Sequence, residues 1–211
     1  SALAMTYHPT GRLKSVDNVG TPGAPRVVMN YLYDASGNVT QVADSLGGFT
    51  DYSYDGLDRL VRVTQSGTGV QPKRVDMEYD SASLLRALRR FSNLAGTAGV
   101  ANTFYEYDCG GCAGRLAAIR HRKAFDNSVI HDLTYVRDAV GNITAMTDAD
   151  GTHAYSYDAI RRLLSATHSN TALQPNEFYS YDTVGNRLTS HLSNTQVYHR
   201  NRLVQDQQFT Y

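Results

Sequence analysis

Tyrosine, aliphatic and polar turn residues recur along this chain in a fixed order. Fourteen of the fifteen tyrosines fall on two columns that lie two residues apart, and an aspartate follows the second column. The unit reads Tyr-x-Tyr-Asp-x-x-Gly, then Asn or Arg, then an aliphatic residue, as in residues 31–39. A tyrosine that alternates with a variable residue has the period of two that is typical of a β-strand, not the helical spacing of three and four. The pattern therefore predicts an all-β chain.

The repeated tyrosines are expected to be structural, because regular aromatic columns suit a pleated surface. The unit recurs nine times, at intervals of roughly 20 to 30 residues, so it must be interpreted as a repeat before anything else. Among the copies that depart from the pattern, one has Met77 at the first tyrosine position and another has Arg137 at the second. The tyrosines to which we assign this structural role are Tyr31, Tyr33, Tyr52, Tyr54, Tyr105, Tyr107, Tyr155, Tyr157, Tyr179 and Tyr181.

The residues that follow each tyrosine pair have turn chemistry. An aspartate side chain can accept backbone N–H groups from the next residues, and a glycine three positions on suits the left-handed residue of a G1 bulge. Asp58 tolerates that position, whereas Ser83 and Arg161 are poorer choices, so we expect those two turns to take another form. His8 and His199 fill the aspartate column as turn residues. The predicted turn residues are Asp34, Asp55, Asp80, Asp108, Asp138, Asp158 and Asp182, with Gly11, Gly37, Gly114, Gly141 and Gly185.

Each copy therefore predicts a β-hairpin, and the whole chain predicts a meander of antiparallel hairpins. We expect a single array over residues 1–211, with about nine hairpins and both ends cut within the array, that forms a curved ribbon or partial shell. Two aliphatic columns lie three residues apart in the second strand, an odd offset that places them on opposite faces unless a bulge restores the register. Residues 83–91 are interpreted as a strand rather than a helical turn.

Charge and composition limit the classes of partner that the sequence favours. The formal net charge is zero, which removes a bulk electrostatic attraction to nucleic acid or to an anionic membrane. No apolar stretch approaches the length of a membrane span, and no signal peptide is visible. Asn or Arg follows the turn glycine position in six copies. These side chains either form a ladder of bonds with the aspartates of neighbouring hairpins or are solvated turn residues.

The repeated unit closely resembles the YD repeat of the rearrangement-hotspot (RHS) family, over nearly the whole chain from Tyr7 to Tyr211. The resemblance implies a ribbon of hairpins that spirals into a hollow shell, within a large bacterial protein that is secreted or on the cell surface. In toxin members the shell encloses a C-terminal effector, and carbohydrate binding has been proposed for the repeats. Toxin members also carry an Asp-Pro self-cleavage motif, which is absent from this sequence.

Candidate chemistry is sparse. Cys109 and Cys112 could be half of a zinc site, a redox pair or a local disulfide that locks an enlarged turn, and we favour a reduced pair or the disulfide. The aspartates recur at one turn position, so we expect no catalytic carboxylate pair, no metal site and no cofactor. Asp148–Gly151 begins like a calcium loop but lacks the later glutamate, and is interpreted as a hairpin turn.

The leading hypothesis is a non-enzymatic structural scaffold: a wall, shell or adhesive surface. Its partners would be the rest of the parent polypeptide or an enclosed effector, and unpaired sheet edges could cause self-association. The alternative is a carbohydrate-binding or adhesion module in which exposed tyrosines stack on sugars. Tyrosine exposure discriminates between them, because buried, hydroxyl-bonded rings favour a scaffold and exposed rings that line a groove favour binding.

Overall fold

A computed structural model describes residues 3–20, 23–108, 114–193, 196–207 and 209–210. In these ranges the chain contains β-strands and no helix. The described residues therefore include no helix that could cross a membrane. The strands are β1 (Ala4–Tyr7), β2 (Leu13–Asp17), β3 (Val28–Tyr33), β4 (Val39–Asp44), β5 (Gly48–Tyr54), β6 (Leu60–Gly67), β7 (Lys73–Tyr79), β8 (Leu85–Phe91), β9 (Gly99–Tyr107), β10 (Leu116–Lys123), β11 (Val129–Arg137), β12 (Ile143–Asp148), β13 (Gly151–Tyr157), β14 (Leu163–His168), β15 (Glu177–Phe178), β16 (Ser180–Tyr181), β17 (Arg187–Thr189), β18 (Val197–His199) and β19 (Arg202–Gln205).

The strands follow one another in space in the order in which they occur along the chain. From β1 to β15 each strand is hydrogen-bonded to the next, and β16–β17 and β18–β19 form two further ladders. The pairings whose register is described are all antiparallel. The predicted all-β meander is confirmed, and so is the strand expected within residues 83–91, which is β8.

The chain divides into two compact units. One comprises Ser1–Tyr105 with His121–Ile130, and the other comprises Glu106–Arg120 with His131–Tyr211. In the first unit, the hairpins β3–β4, β5–β6 and β7–β8 show the repeat in its most regular form. In the second unit, β11–β12 and β13–β14 repeat it.

A β-bulge in each hairpin places the two aliphatic columns on one face. In β3–β4, Tyr31 pairs with Val42, but Tyr33 pairs with Val39, so β4 holds one residue more than β3 between these pairs. The same register shift occurs before Tyr54, Tyr79 and Tyr157. Residues that are directly opposite in a sheet share a face. Of the two arrangements that the sequence left open, the one in which a bulge restores the register is therefore the one observed.

We call the surface formed by the column tyrosines and both aliphatic columns the tyrosine face. It continues from one hairpin to the next, because Val63 pairs with Tyr52 within its hairpin and with Val75 of the following hairpin. Most of its side chains are half-buried. Among the described residues, the fully buried apolar side chains are only three alanines, Ala87, Ala118 and Ala166. A conventional two-layer core is therefore not what holds the described strands together.

Ion pairs occupy the other side of the sheet, which we call the charged face. Arg62 pairs with Asp76, Arg89 with Glu78, and both arginines are partly exposed. Exposed pairs of this kind contribute at most about 1 kcal/mol each. The charged face is thus compatible with solvent, whereas the tyrosine face is made mostly of rings and aliphatic side chains.

Candidate functional site in the hairpin turns

An aspartate closes each regular turn with its side chain. Asp34 Oδ1 accepts the backbone N–H groups of Gly37 at 2.7 Å and Asn38 at 2.8 Å, while the Asp34 N–H donates to the Asn38 carbonyl at 3.0 Å. An oxygen of this kind satisfies backbone donors that the tight turn would leave unpaired. The bond from the N–H four residues later to Oδ1 recurs at Asp34, Asp55, Asp80, Asp138, Asp158 and Asp182.

The residue three positions after the aspartate has a positive φ, whatever its type. Gly141 has φ of 95° and Gly185 of 96°, values that glycine adopts readily. Asp58, Ser83 and Arg161 occupy the same position with φ of 57°, 64° and 68°. The expectation of another turn form at Ser83 and Arg161 is therefore wrong. The aspartate bonds and the two flanking strands fix the turn, and they offset a left-handed conformation that costs about 1–2 kcal/mol.

The outer turns and the enlarged turn differ in detail. The His8 N–H donates to the Arg12 carbonyl at 2.8 Å, the same main-chain bond as in the aspartate turns. His199 instead pairs with Arg202 across a two-residue turn in which both residues have positive φ, the geometry of a type I′ hairpin. The Asp108 N–H donates to the Arg115 carbonyl at 2.9 Å. Cys109 and Cys112 lie between these two, outside the described residues.

In five hairpins the second tyrosine bonds to the preceding hairpin. Its hydroxyl donates to the carbonyl of the first aliphatic residue there, at 2.7–3.0 Å. Because the acceptor is main chain, the bond sets the distance between two hairpins without depending on the side chain at the acceptor position. The bonds join Tyr33 to Leu13, Tyr54 to Val39, Tyr79 to Leu60, Tyr157 to Ile143 and Tyr181 to Leu163.

Arg137 preserves this bond although it replaces the tyrosine. Its Nη2 donates to the Leu116 carbonyl at 3.4 Å, the position that a tyrosine hydroxyl would reach, and its Nη1 donates to Gly141 at 3.2 Å. The guanidinium lies 5.9 Å from the Tyr135 ring centroid. The substitution therefore keeps a donor at the point where the two hairpins meet.

A second bond runs in the opposite direction, from the Asn or Arg after the turn to the next turn. Arg162 holds Asp158 of its own turn through Nε at 2.6 Å, and its Nη1 donates to the Asp182 carbonyl of the next turn at 2.9 Å. The same guanidinium lies over the Tyr181 ring at 4.7 Å, a cation–π distance. Asn38 reaches Asp58 of the next turn at 2.9 Å. Of the two possibilities left open by the sequence, a ladder between hairpins is the one that these contacts form.

The turn glycine makes room for this ladder. A Cβ atom on Gly141 would lie 2.5 Å from Arg115 Nη1, and one on Gly37 would lie 2.2 Å from Arg12 Nη2. Where the position carries a side chain, the preceding hairpin bonds to it instead, as Arg59 does to the Ser83 hydroxyl at 3.0 Å. At Gly37 and Gly141 the absence of a Cβ thus leaves room for the guanidinium of the preceding hairpin.

The tyrosines of the first column serve mainly as packing elements. Tyr52 pairs with Val63 and Tyr155 with Ala166, both on the tyrosine face, and both rings are half-buried. Desolvation raises the pKa of Tyr155. Tyr31 pairs with Val42, and Tyr105 lies in β9 with Tyr107 two residues later. Tyr179 is the exception among these positions, because its hydroxyl donates to the Glu177 carboxylate.

Hydrogen bonds lower the pKa of five turn carboxylates, those of Asp34, Asp55, Asp138, Asp158 and Asp182. At Asp138 desolvation acts to raise the pKa, but the side-chain and backbone bonds from Asn142 outweigh it and lower the pKa. At Asp55 the bond from Arg59 is the largest cause of a lowered pKa. Because every one of these carboxylates faces its own turn, they do not converge on a common pocket. In the described ranges no group of three His, Cys, Asp or Glu side chains could hold a metal ion.

Sequence reasoning missed one polar cluster. Asp148–Gly151 is a hairpin turn between β12 and β13, where Asp148 also accepts a bond from His153 Nε2 at 3.2 Å. His153 is buried, and its Nδ1 lies 2.7 Å from His168 Nδ1. The two histidines are strand partners, a relation that depends on register and leaves no motif in the sequence.

These features define a repeat scaffold in which each hairpin is bonded to the next at the turn end. The family model of the RHS Repeat matches residues 33–70 and 137–172, which contain the turns of Asp34, Asp55, Asp138 and Asp158. These two segments match the RHS repeat, in agreement with the resemblance seen in the sequence.

Solved structures of Tc toxin components have the same fold. The crystal structure of TcdB2-TccC3-Cdc42 matches with a TM-score of 0.68 and 19% identity, over 89% of this chain and 11% of that chain. A mutant Tc holotoxin pore of Photorhabdus luminescens matches with a TM-score of 0.68 and 20% identity, over 88% of this chain and 11% of that chain. TcdB2-TccC3 without its hypervariable C-terminal region matches with a TM-score of 0.70 and 18% identity, over 94% of this chain and 12% of that chain. This chain thus spans about one tenth of their length, and no curated protein matches it.

Replacing Tyr157 by phenylalanine tests the bond between hairpins. The change removes the donor to the Ile143 carbonyl and keeps the ring, so we expect a loss of about 1 kcal/mol in the free energy of unfolding. Tyr155→Phe is the matched control, because its hydroxyl makes no hydrogen bond in the described part of the chain. Urea unfolding of both variants is the measurement. Equal losses would contradict the assignment.

Replacing Gly141 by alanine tests the need for space beside the ladder. Gly185→Ala is the control, since its φ is nearly the same and no atom lies within 4 Å of its would-be Cβ. We expect the control to cost about 1–2 kcal/mol through φ alone, and Gly141→Ala to cost more because the Arg115 guanidinium must move. Thermal unfolding of the two variants distinguishes these effects. A smaller effect at Gly141 would show that the contact with Arg115 is dispensable.

Acid should destabilise the repeats. A carboxylate whose folded pKa lies below its ordinary 3.8 contributes stability that is present above that value and is lost as the pH falls through the folded pKa. We therefore expect the urea midpoint to fall steeply between about pH 4 and about pH 2. Asp138→Asn, which keeps the acceptor oxygen but cannot titrate, should flatten this fall. Asp150→Asn, at an exposed loop position, should leave it unchanged; an equal flattening there would contradict the role of the turn carboxylate.

Proposed function

We propose that this chain is a non-enzymatic wall segment of a larger secreted bacterial RHS-type protein. Its tyrosine face would be turned toward a polypeptide enclosed by the same parent chain, and its charged face toward solvent. The observation that carries the proposal is that the repeat's polar side chains form hydrogen bonds within the scaffold. The turn aspartates, the Asn and Arg residues and the second-column hydroxyls are engaged in bonds within and between hairpins.

This use of side chains distinguishes a wall from a binding module. A carbohydrate site would offer exposed tyrosine faces and free hydroxyls along a groove. Here the rings of Tyr54 and Tyr157 are half-buried and their hydroxyls are bonded to the main chain of the preceding hairpin. These contacts favour the scaffold over the carbohydrate-binding alternative.

The nearest-neighbour bonding also suits a wall of indefinite length. The side-chain bonds described above join each hairpin to a hairpin beside it, so units can be added without changing those already present. The family resemblance implies that such arrays form a hollow shell around a C-terminal effector. The likeness to chains about eight times as long, in the solved structures above, supports a place for this segment within a longer array.

The coding sequence on either side of this segment provides the first test. We expect further hairpin repeats and then a segment without repeats, which would be the enclosed polypeptide. In the purified full-length protein, that segment should resist protease until the shell is unfolded with urea. Cleavage at the same rate in native and unfolded protein would refute enclosure. Binding of the wild-type chain to a glycan array, lost in Tyr54→Ala, would instead support the carbohydrate alternative.

A further inference from the structure

One arginine of the β7–β8 hairpin lies on the tyrosine face. Arg89 is on the charged face, where it is paired with Glu78. Arg90, the next residue, must point to the opposite side, and its strand partner Val75 belongs to the tyrosine face. Among the described residues no carboxylate lies within ion-pair distance of Arg90. It is therefore a half-buried cation without a compensating charge among the described residues.

A buried hydroxyl fixes the position of Arg90. Its Nη1 donates to Thr103 Oγ1 at 2.7 Å, and Thr103 is fully buried with 0% exposure. The same oxygen lies 2.9 Å from His121 Nδ1. A guanidinium has five N–H donors, and this contact uses one of them. The remaining donors are held in place and are available to a planar acceptor.

A second cation lies on the same face. Lys73 lies two residues before Val75, the strand partner of Arg90, and pairs with Gln65. Lys73, Arg74, Val75 and Val63 line a concavity of about 300 Å³, so Arg90 is opposite one of its lining residues. The tyrosine-face positions beside it on β6, β7, β8 and β9 contain no acidic residue: they are Val63, Gln65, Lys73, Val75, Leu88, Arg90, Ala101 and Thr103.

We propose that Arg90 and Lys73 form a binding site for a carboxylate of the enclosed polypeptide, in a stretch that also carries apolar side chains. The fork of a guanidinium matches a carboxylate in two parallel hydrogen bonds, and Lys73 adds a second charge. Val63, Val75 and Leu88 provide the apolar surface that such a stretch would cover. The inference rests on the proposed function for the source of the ligand, but the site itself can be examined on this chain alone.

A fluorescein-labelled short peptide that alternates glutamate and leucine is the probe, with fluorescence anisotropy as the readout. Arg90→Gln should weaken binding about tenfold or more, the size expected for losing hydrogen bonds to a charged group. Arg89→Gln is the matched control, one residue away on the charged face, and should change binding less than about twofold. Arg90→Lys, which keeps the charge and loses the fork, should fall between them.

Three results would overturn the site. They are equal binding by the Arg90 and Arg89 variants, equal binding of a peptide in which glutamine replaces glutamate, and stronger attachment to phosphatidylserine vesicles than to the peptide. Thermal unfolding of each variant shows whether it is folded, and Lys73→Gln offers a second test at an exposed side chain if Arg90→Gln is not. If the chain binds the peptide but protease freely cleaves the repeat-free segment of the parent protein, enclosure is refuted and the carboxylate site stands. If that segment is protected but the chain does not bind the peptide, enclosure stands and the carboxylate site is refuted.

Discussion

Hydrogen bonds from side chains to the main chain of the adjacent hairpin are the interactions on which the rest of this structure depends. A tyrosine hydroxyl reaches back to the preceding hairpin, and an arginine or asparagine reaches forward to the next turn. Both bonds cross the same junction in opposite directions: Tyr181 donates back to the Leu163 carbonyl, and Arg162 donates forward to the Asp182 carbonyl. They fix both the spacing and the alignment of neighbouring hairpins where little apolar surface is fully buried. A sheet without a second layer needs such directional contacts, because burial alone is non-directional.

The bulge makes this arrangement possible. By adding one residue to the second strand, it brings the aliphatic residue after the turn onto the face of the tyrosines. The second tyrosine of the next hairpin can then approach the carbonyl of that residue. Turn, bulge and ladder therefore form one unit, and the repeated sequence encodes their combination rather than any of them singly.

Local features of the fold could be predicted from the sequence, and relations across strands could not. Alternation of Tyr52 and Tyr54 with variable residues predicted strands, because side chains in a strand have a period of two. The left-handed turns at Ser83 and Arg161 were missed, since residue preference at one position was overruled by the bonds of the surrounding turn. The contact between Arg90 and Thr103 depends on strand register, to which no local motif corresponds.

Arg137 shows how loosely the residue type at the junction is specified. It supplies a donor to the Leu116 carbonyl where other hairpins use a tyrosine, and the acceptor is main chain in each case. What is required at this position is a hydrogen-bond donor of sufficient reach, and more than one amino acid provides it. Copies of the repeat can consequently drift apart during evolution while their junctions stay intact. Arrays of shared architecture can then persist at sequence identities too low for pairwise alignment to detect.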